Sequence, residues 1–253
     1  NPFREGPTPV LLTHDIDSPE GLEKLVDRFL PLEEAVGARS CNFVVPFKWD
    51  LDEARLQEVV TRGHSLGIHG YDHSNRTPFL APAERKERLD AASPLIEKFG
   101  ITGYRAPSLC RTEELLADLS GRYRFDSSIP TSGGLFPTPG NGCATARPYR
   151  TGHGELVELP LSMPRDGSLR FLGHSPDEIL TLWKTCAADI AASGGVVVLL
   201  THCESVFSGN APMLAAYSGF LEWISASPDF AWSKPEAVLD RFNRSAAAPL
   251  TAP

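Results

Sequence analysis

Short β-rich apolar runs alternate with helix-periodic stretches from one end of the chain to the other. That alternation selects a parallel sheet flanked by helices, because each crossover returns the chain to the same sheet end. The pattern predicts strands at Val10–Thr13, Asn42–Val45, Ser65–Ile68, Gly103–Arg105, Tyr123–Ser127, Glu155–Leu161 and Val196–Leu200. Between them, Ser18 and Pro19 open a helix with Leu22, Leu25, Val26, Phe29 and Leu30 on one face. Further helices are expected over Asp52–Arg62, Pro82–Phe99, Glu113–Leu119, Ser175 to about Ala192 behind a Ser175/Glu178 capping box, Pro212–Ser225 and Pro235–Phe242. The Gly-, Pro- and Thr-rich stretch Thr131–Arg150 reads as a long loop. No repeat or linker divides the 253 residues, which read as a single domain with its core over about 10–242. The pattern allows a barrel or an open sheet, and in both the reactive groups collect at the carboxyl ends of the strands.

Charge and cysteine usage remove several function classes. Against 32 Asp and Glu the chain has 24 Lys and Arg, a net charge of −8. It lacks the cationic excess with which proteins displace counterions from nucleic acid. The most apolar run, Val196–Leu200, is bounded by Gly195 and Thr201 and is far short of the about 18 residues a membrane span needs. Asn1–Pro9 shows no secretory pattern, although the chain does not begin with Met. Five scattered cysteines, without a CxxC pair, suit a reducing compartment better than a disulfide framework. The expectation is therefore cytoplasmic, with a periplasmic location left open should a native N-terminal segment be missing.

Candidate chemistry lies where strands end. Asp15 and Asp17 follow the first strand, His69 and His73 the third, and Arg105 closes the fourth. Asp126 is near the end of the fifth, and His202 terminates the Val196 run. Two histidines four apart on a helical turn, with a carboxylate from another strand, can grip one metal ion and leave coordination positions open. Such a site lowers the pKa of a water and polarises a carbonyl. His14 alternates with Asp15 and so faces the other way. Asp72 reads as a solvated turn residue, and Trp49 and Phe47 as aromatic residues of the rim.

These residues, in this order, resemble the polysaccharide deacetylase family of metal-dependent carbohydrate esterases. Thr13–Asp17 is similar to the family's first motif, His69-x-x-x-His73 to the second, and Arg105-Ala106-Pro107-Ser108 to the third. Phe125-Asp126-Ser127-Ser128 stands for the fourth, and Leu199-Leu200-Thr201-His202 for the fifth. The resemblance implies a distorted (β/α) barrel of about seven parallel strands. It also implies a divalent ion, Zn2+ with Co2+ or Ni2+ as alternatives, held by Asp17, His69 and His73. By the same resemblance Asp15 is the base, ionised by Arg105, and His202 is the general acid, oriented by Asp126. Ser108 would offer a backbone N–H to the oxyanion, and Trp49 would contact substrate.

The implied activity is hydrolysis of an N-acetyl or N-formyl amide on a sugar, in bacterial surface-glycan synthesis. The substrate would be a nucleotide sugar, a lipid-linked sugar or an oligosaccharide. A ureide or other amide hydrolase of allantoinase type and a non-catalytic saccharide-binding relative are the alternatives. An Fe(II) oxygenase shares the two-histidine, one-carboxylate set but not the strand and helix alternation.

Overall fold

The computed structural model describes residues 1–132 and 142–247. Their strands form one sheet: β1 (Thr8–Ile16), β2 (Cys41–Val44), β3 (Ser65–Ile68), β4 (Gly103–Tyr104), β5 (Phe125–Asp126), β6 (Tyr149–Arg150), β7 (Val157–Glu158), β8 (Val197–His202) and β9 (Phe230–Trp232). The order is β6-β7-β5-β4-β3-β2-β1-β8, with β9 also paired to β1, and only β6–β7 is antiparallel. The helices are α1 (Pro19–Lys24), α2 (Leu30–Ala35), α3 (Glu53–Thr61), α4 (Pro82–Asp90), α5 (Ser93–Phe99), α6 (Glu113–Leu119), α7 (Asp166–Phe171), α8 (Pro176–Ser193), α9 (Ala211–Ala226) and α10 (Pro235–Ala247). The sheet curls into a half-barrel with helices around it, in one domain, as the alternation and the resemblance led one to expect.

Side-chain alternation sorts the core into two layers. Leu11, Cys41, Phe43, Phe125, Val157, Leu159, Val196, Val198 and Leu200 fill the inside of the curl, and α10 stops one end with Val238 and Leu239. Val10, Leu12, Ile16, Val44, Tyr104, Val197 and Leu199 point outward to the helices, where Trp183, Tyr217 and Phe220 pack. Gly67 and Gly103 occupy inward positions because the Phe43 and Phe125 rings fill the space a Cβ would need. Along β1 the inward residues run Leu11, Thr13, Asp15, so the interior changes from apolar to charged toward the carboxyl end. Between β7 and β8 the curl closes without a ladder. There Ser162 Oγ donates to Val196 O at 2.7 Å and accepts from Val198 N at 2.8 Å.

Several elements differ from expectation for identifiable reasons. The anticipated Pro82–Phe99 helix breaks into α4 and α5, since Pro94 in the first turn of α5 has no N–H to continue the ladder. A π-helical turn, Leu25–Phe29, joins α1 to α2 just before Pro31, and Leu30 N donates to Leu25 O. The Val26 carbonyl released by that shift accepts from Arg62 Nη1 at 3.0 Å. The strand expected at Glu155–Leu161 forms a ladder only over Val157–Glu158, with Leu161 in an isolated bridge to Pro130, and that at Tyr123–Ser127 forms one only over Phe125–Asp126. Part of the loop expected at Thr131–Arg150, residues 133–141, lies outside the described residues. Neither α7 nor β9 is announced by the sequence pattern. No described helix is long and apolar enough to cross a membrane.

Candidate active site

Asp17, His69 and His73 come together at the carboxyl ends of β1 and β3, with one ligand atom from each within 4.8 Å of the others. His69 Nδ1–H donates to Arg105 O at 3.0 Å, which leaves the Nε2 lone pair facing inward, 3.6 Å from Asp17 Oδ1. His73 Nε2 lies 3.4 Å from Asp17 Oδ2. The two histidines sit on a loop rather than on the helical turn their spacing suggested, and a left-handed His73, φ 60°, turns its ring back toward His69. Gly70, φ 69°, permits that loop to press on Pro107, where any Cβ would collide. Asp17 Oδ1 is buried without a donor among the described residues. Burial depresses the His69 pKa against the opposing charges of Asp15 and Asp17. Two imidazoles and an undonated carboxylate oxygen are the donor set that a Zn2+-like cation takes, so these residues fit the metal.

The Asp17 backbone has its own support. Glu204, buried beyond the end of β8, accepts from Asp17 N at 3.0 Å and from Ser18 Oγ at 2.8 Å. Gly21 leaves the space that its carboxyl group occupies.

Asp15 points into the curl, and Arg105 Nη1 donates to its Oδ1 at 2.8 Å. Arg105 is fully buried. It spends its other donors on Thr13 Oγ1, Ser127 O and Ser127 Oγ, and its guanidinium stacks 4.1 Å over Phe43. Burial raises the Asp15 pKa, but the charges of His69 and Arg105 outweigh it and bring the group to about 2. Asp15 Oδ2 is 3.6 Å from His69 Nε2, so Asp15 and the candidate cation site share a wall.

His202, at the end of β8, is oriented by a residue sequence reasoning missed. Its Nδ1–H donates to Asp166 Oδ1 at 2.8 Å, and its backbone N–H to Asp166 Oδ2 at 2.8 Å. Ser208 Oγ and Gly167 N also donate to that carboxylate, each at 2.7 Å. Burial disfavours the imidazolium, yet the Asp166 carboxylate prevails and raises the His202 pKa to about 9. Asp126, the expected partner, is on the wrong face of the sheet. Its β5 neighbour Phe125 fills the interior, so Asp126 points outward and pairs with Glu158 across the β5–β7 ladder. There it accepts from Ser128 Oγ at 2.6 Å, and burial raises the pKa of both carboxyl groups. The strand-end rule applied after Glu155–Leu161 would have turned up Arg165 and Asp166.

The remaining expectations divide. Ser108 and Leu109 both adopt left-handed backbone, φ 52° and 57°, and Ser108 Oγ accepts from Asn75 Nδ2 at 3.1 Å, pinning the Arg105–Ser108 turn to the histidine loop. Trp49 lines a cavity of about 590 Å³ with Pro46, Leu51, Pro94 and Lys98, whose wall includes none of the cation-site residues. The aromatic link to that loop is Phe47, stacked 4.5 Å from Tyr71. Asp72 forms a turn with Ser74 and pairs with Arg88 at 3.1 Å. His14 faces the helices, bridging Thr201 Oγ1 at 2.8 Å and Glu33 at 2.7 Å.

Fold and site define a half-barrel with a cation-ready triad, a carboxylate–arginine pair and a histidine–aspartate pair on one rim. Residues 4–120, a little under half of the chain, match the family model for polysaccharide deacetylase. No curated protein matches the sequence. Among solved structures, a protein of Mycobacterium smegmatis described as a polysaccharide deacetylase is 20% identical with a TM-score of 0.77, over 98% of this chain and 96% of its own. A Pseudomonas aeruginosa PAO1 protein of the same description is 13% identical, TM-score 0.71, over 93% and 91%. Puue allantoinase is 16% identical, TM-score 0.69, over 96% and 92%. Beyond residue 120 the likeness is one of fold.

Proposed function

We propose that the protein hydrolyses an N-acyl amide on a sugar with the help of a divalent cation, most suitably Zn2+, held by Asp17, His69 and His73. The observation that carries this reading is the convergence of that triad with Asp15–Arg105 and Asp166–His202 on one rim. When bound, such a cation acidifies a water and polarises the acyl oxygen. Asp15, kept ionised by Arg105, accepts the proton of the attacking water. His202 protonates the departing amine as the C–N bond breaks, leaving a carboxylate and an amino sugar, and Asp166 fixes its tautomer. Ser108 sits on the same rim, and its backbone N–H is assigned to the developing oxyanion. Five cysteines without a disulfide support a cytoplasmic role in surface-glycan assembly.

The experiment is release of acetate or formate from N-acylated sugars, with allantoin as a parallel substrate, before and after metal stripping. Loss of activity on stripping and its return with Zn2+ are expected, as is loss in Asp15→Asn. Undiminished turnover after stripping or in that variant refutes the assignment. Turnover of allantoin alone moves the substrate from sugar amides to ureides.

A further inference from the structure

Arg165 is the conspicuous charge at this site. It directly precedes Asp166, is only partly exposed, and its side chain makes no hydrogen bond or ion pair among the described residues. Burial pulls its pKa down while the charges of Asp15 and Asp166 push it back. Those carboxylates are already served by Arg105 and by His202. Taking the cation site of the proposed function as occupied, Asp15, Asp17 and Asp166, even with Glu204 behind Asp17, are outweighed by Arg105, His202, Arg165 and the divalent ion. A site with that surplus favours a ligand that brings negative charge beyond the developing oxyanion.

The surroundings of Arg165 say what else that ligand carries. Arg165, Ser168, Leu169 and Leu172 follow one another on one side of α7 and line a cavity of about 390 Å³ with Leu161, Met163 and Pro130. Leu172 is 58% exposed at its mouth. On the neighbouring side of α7, Gly167 faces Phe207, whose ring stacks 4.6 Å from the His202 ring. One turn on, Phe171 is 76% exposed, and Arg170 Nε binds Val206 O at 3.1 Å beside a 67% exposed Val206 side chain. An apolar ledge thus adjoins the acid residue, with a lone cation at its inner end.

We infer that Arg165 and this ledge bind a phosphate that carries an apolar chain, so that the substrate is an N-acylated sugar joined through phosphate to an isoprenoid or acyl tail. The planar guanidinium grips two phosphate oxygens, and Leu172 and Phe171 cover the first carbons of the chain. This deepens the proposed function, and its test has one arm independent of turnover. Calorimetry of the zinc-loaded protein with octyl phosphate, below its micelle concentration, should show binding. Inorganic phosphate and octyl glucoside, each lacking one half of the ligand, should bind about tenfold more weakly. Arg165→Met, and separately Leu172→Asp at an exposed position, should each weaken octyl phosphate by about tenfold without loss of the circular dichroism signal. In the second arm, turnover of octyl N-acetylglucosamine 1-phosphate should exceed that of neutral octyl N-acetylglucosaminide in kcat/KM, chiefly through KM, and Arg165→Met should abolish the difference. Octyl phosphate binding that is absent, matched by inorganic phosphate, or unchanged in Arg165→Met overturns the inference, even if neutral sugars are deacylated. Octyl phosphate binding without deacylation of any sugar leaves the phosphate-tail site standing and removes the hydrolase reading.

Discussion

At the scale of single residues, the site works through pairs whose second member sets the state of the first. Asp166 makes His202 an acid that keeps its proton until about pH 9. The pH–rate profile should therefore fall as pH rises through about 9, because a deprotonated His202 has nothing to give the leaving amine. Asp166→Asn removes the carboxylate that raises the pKa and loosens the tautomer. Its basic limb should move toward the ordinary histidine value, and kcat should drop by roughly 100- to 10,000-fold. A profile unchanged in Asp166→Asn would show that His202 is not the group being read. Glu204→Ala withdraws the acceptor of Asp17 N, and zinc affinity, measured by chelator competition, should weaken by roughly 10- to 100-fold, as when a ligand's supporting partner is removed.

Elements hold these residues because alternation along each strand separates what packs from what reacts. The inward positions of β1 pass from Leu11 to Asp15, and those of β8 from Val198 to His202, so each strand is apolar at one end and functional at the other. Gly67 and Gly103 matter for the same reason: the Phe43 and Phe125 rings occupy their side-chain space, and Phe43 carries the Arg105 guanidinium. Gly103→Ala forces a methyl group into the buried Phe125 ring and should destabilise the fold by about 1–3 kcal/mol in urea titration. Outside the curl, Glu33 accepts from Tyr217 Oη at 2.9 Å and joins His14 to it, tying β1 to α2 and α9. Glu33→Ala leaves those partners buried without their acceptor and should cost about 1–3 kcal/mol for each group left unpaired, read in the same titration. A loss below the scatter of surface substitutions would mean that the network relaxes to find water.

For the whole molecule, the proposed cation and the His202 proton would both be linked to folding. A metal bound only by the folded state adds about 2.7 kcal/mol at a hundred times its Kd. Zinc should therefore raise Tm by roughly 5–10 °C in a domain this large, and Asp17→Ala should abolish the rise. His202 titrates higher folded than unfolded, so its contribution to stability is complete below its ordinary pKa and is lost as pH rises through about 9. Denaturant midpoints taken on either side of that window should converge in His202→Gln. A wild-type midpoint flat across the window would show that the His202–Asp166 pair contributes nothing net.

The alternation of apolar runs and helical periods was enough to name the fold class. Cap and turn chemistry placed elements closely where it was explicit: the Ser175–Glu178 capping box opens α8, and Asp52 caps α3. The cation set was legible because each ligand ends or follows a strand, and parallel strands bring their ends to one rim. What the sequence could not reveal was which partner a side chain meets. Asp126 and Asp166 look equivalent in the chain, but the pleat of β5 turns one outward, while a short helix with no periodic signal delivers the other to His202. The face that Trp49 presents and the open Arg165 are likewise settled by long-range packing. Local sequence specifies the direction and period of each element, whereas contacts between distant elements arise only when the sheet curls and fixes their register.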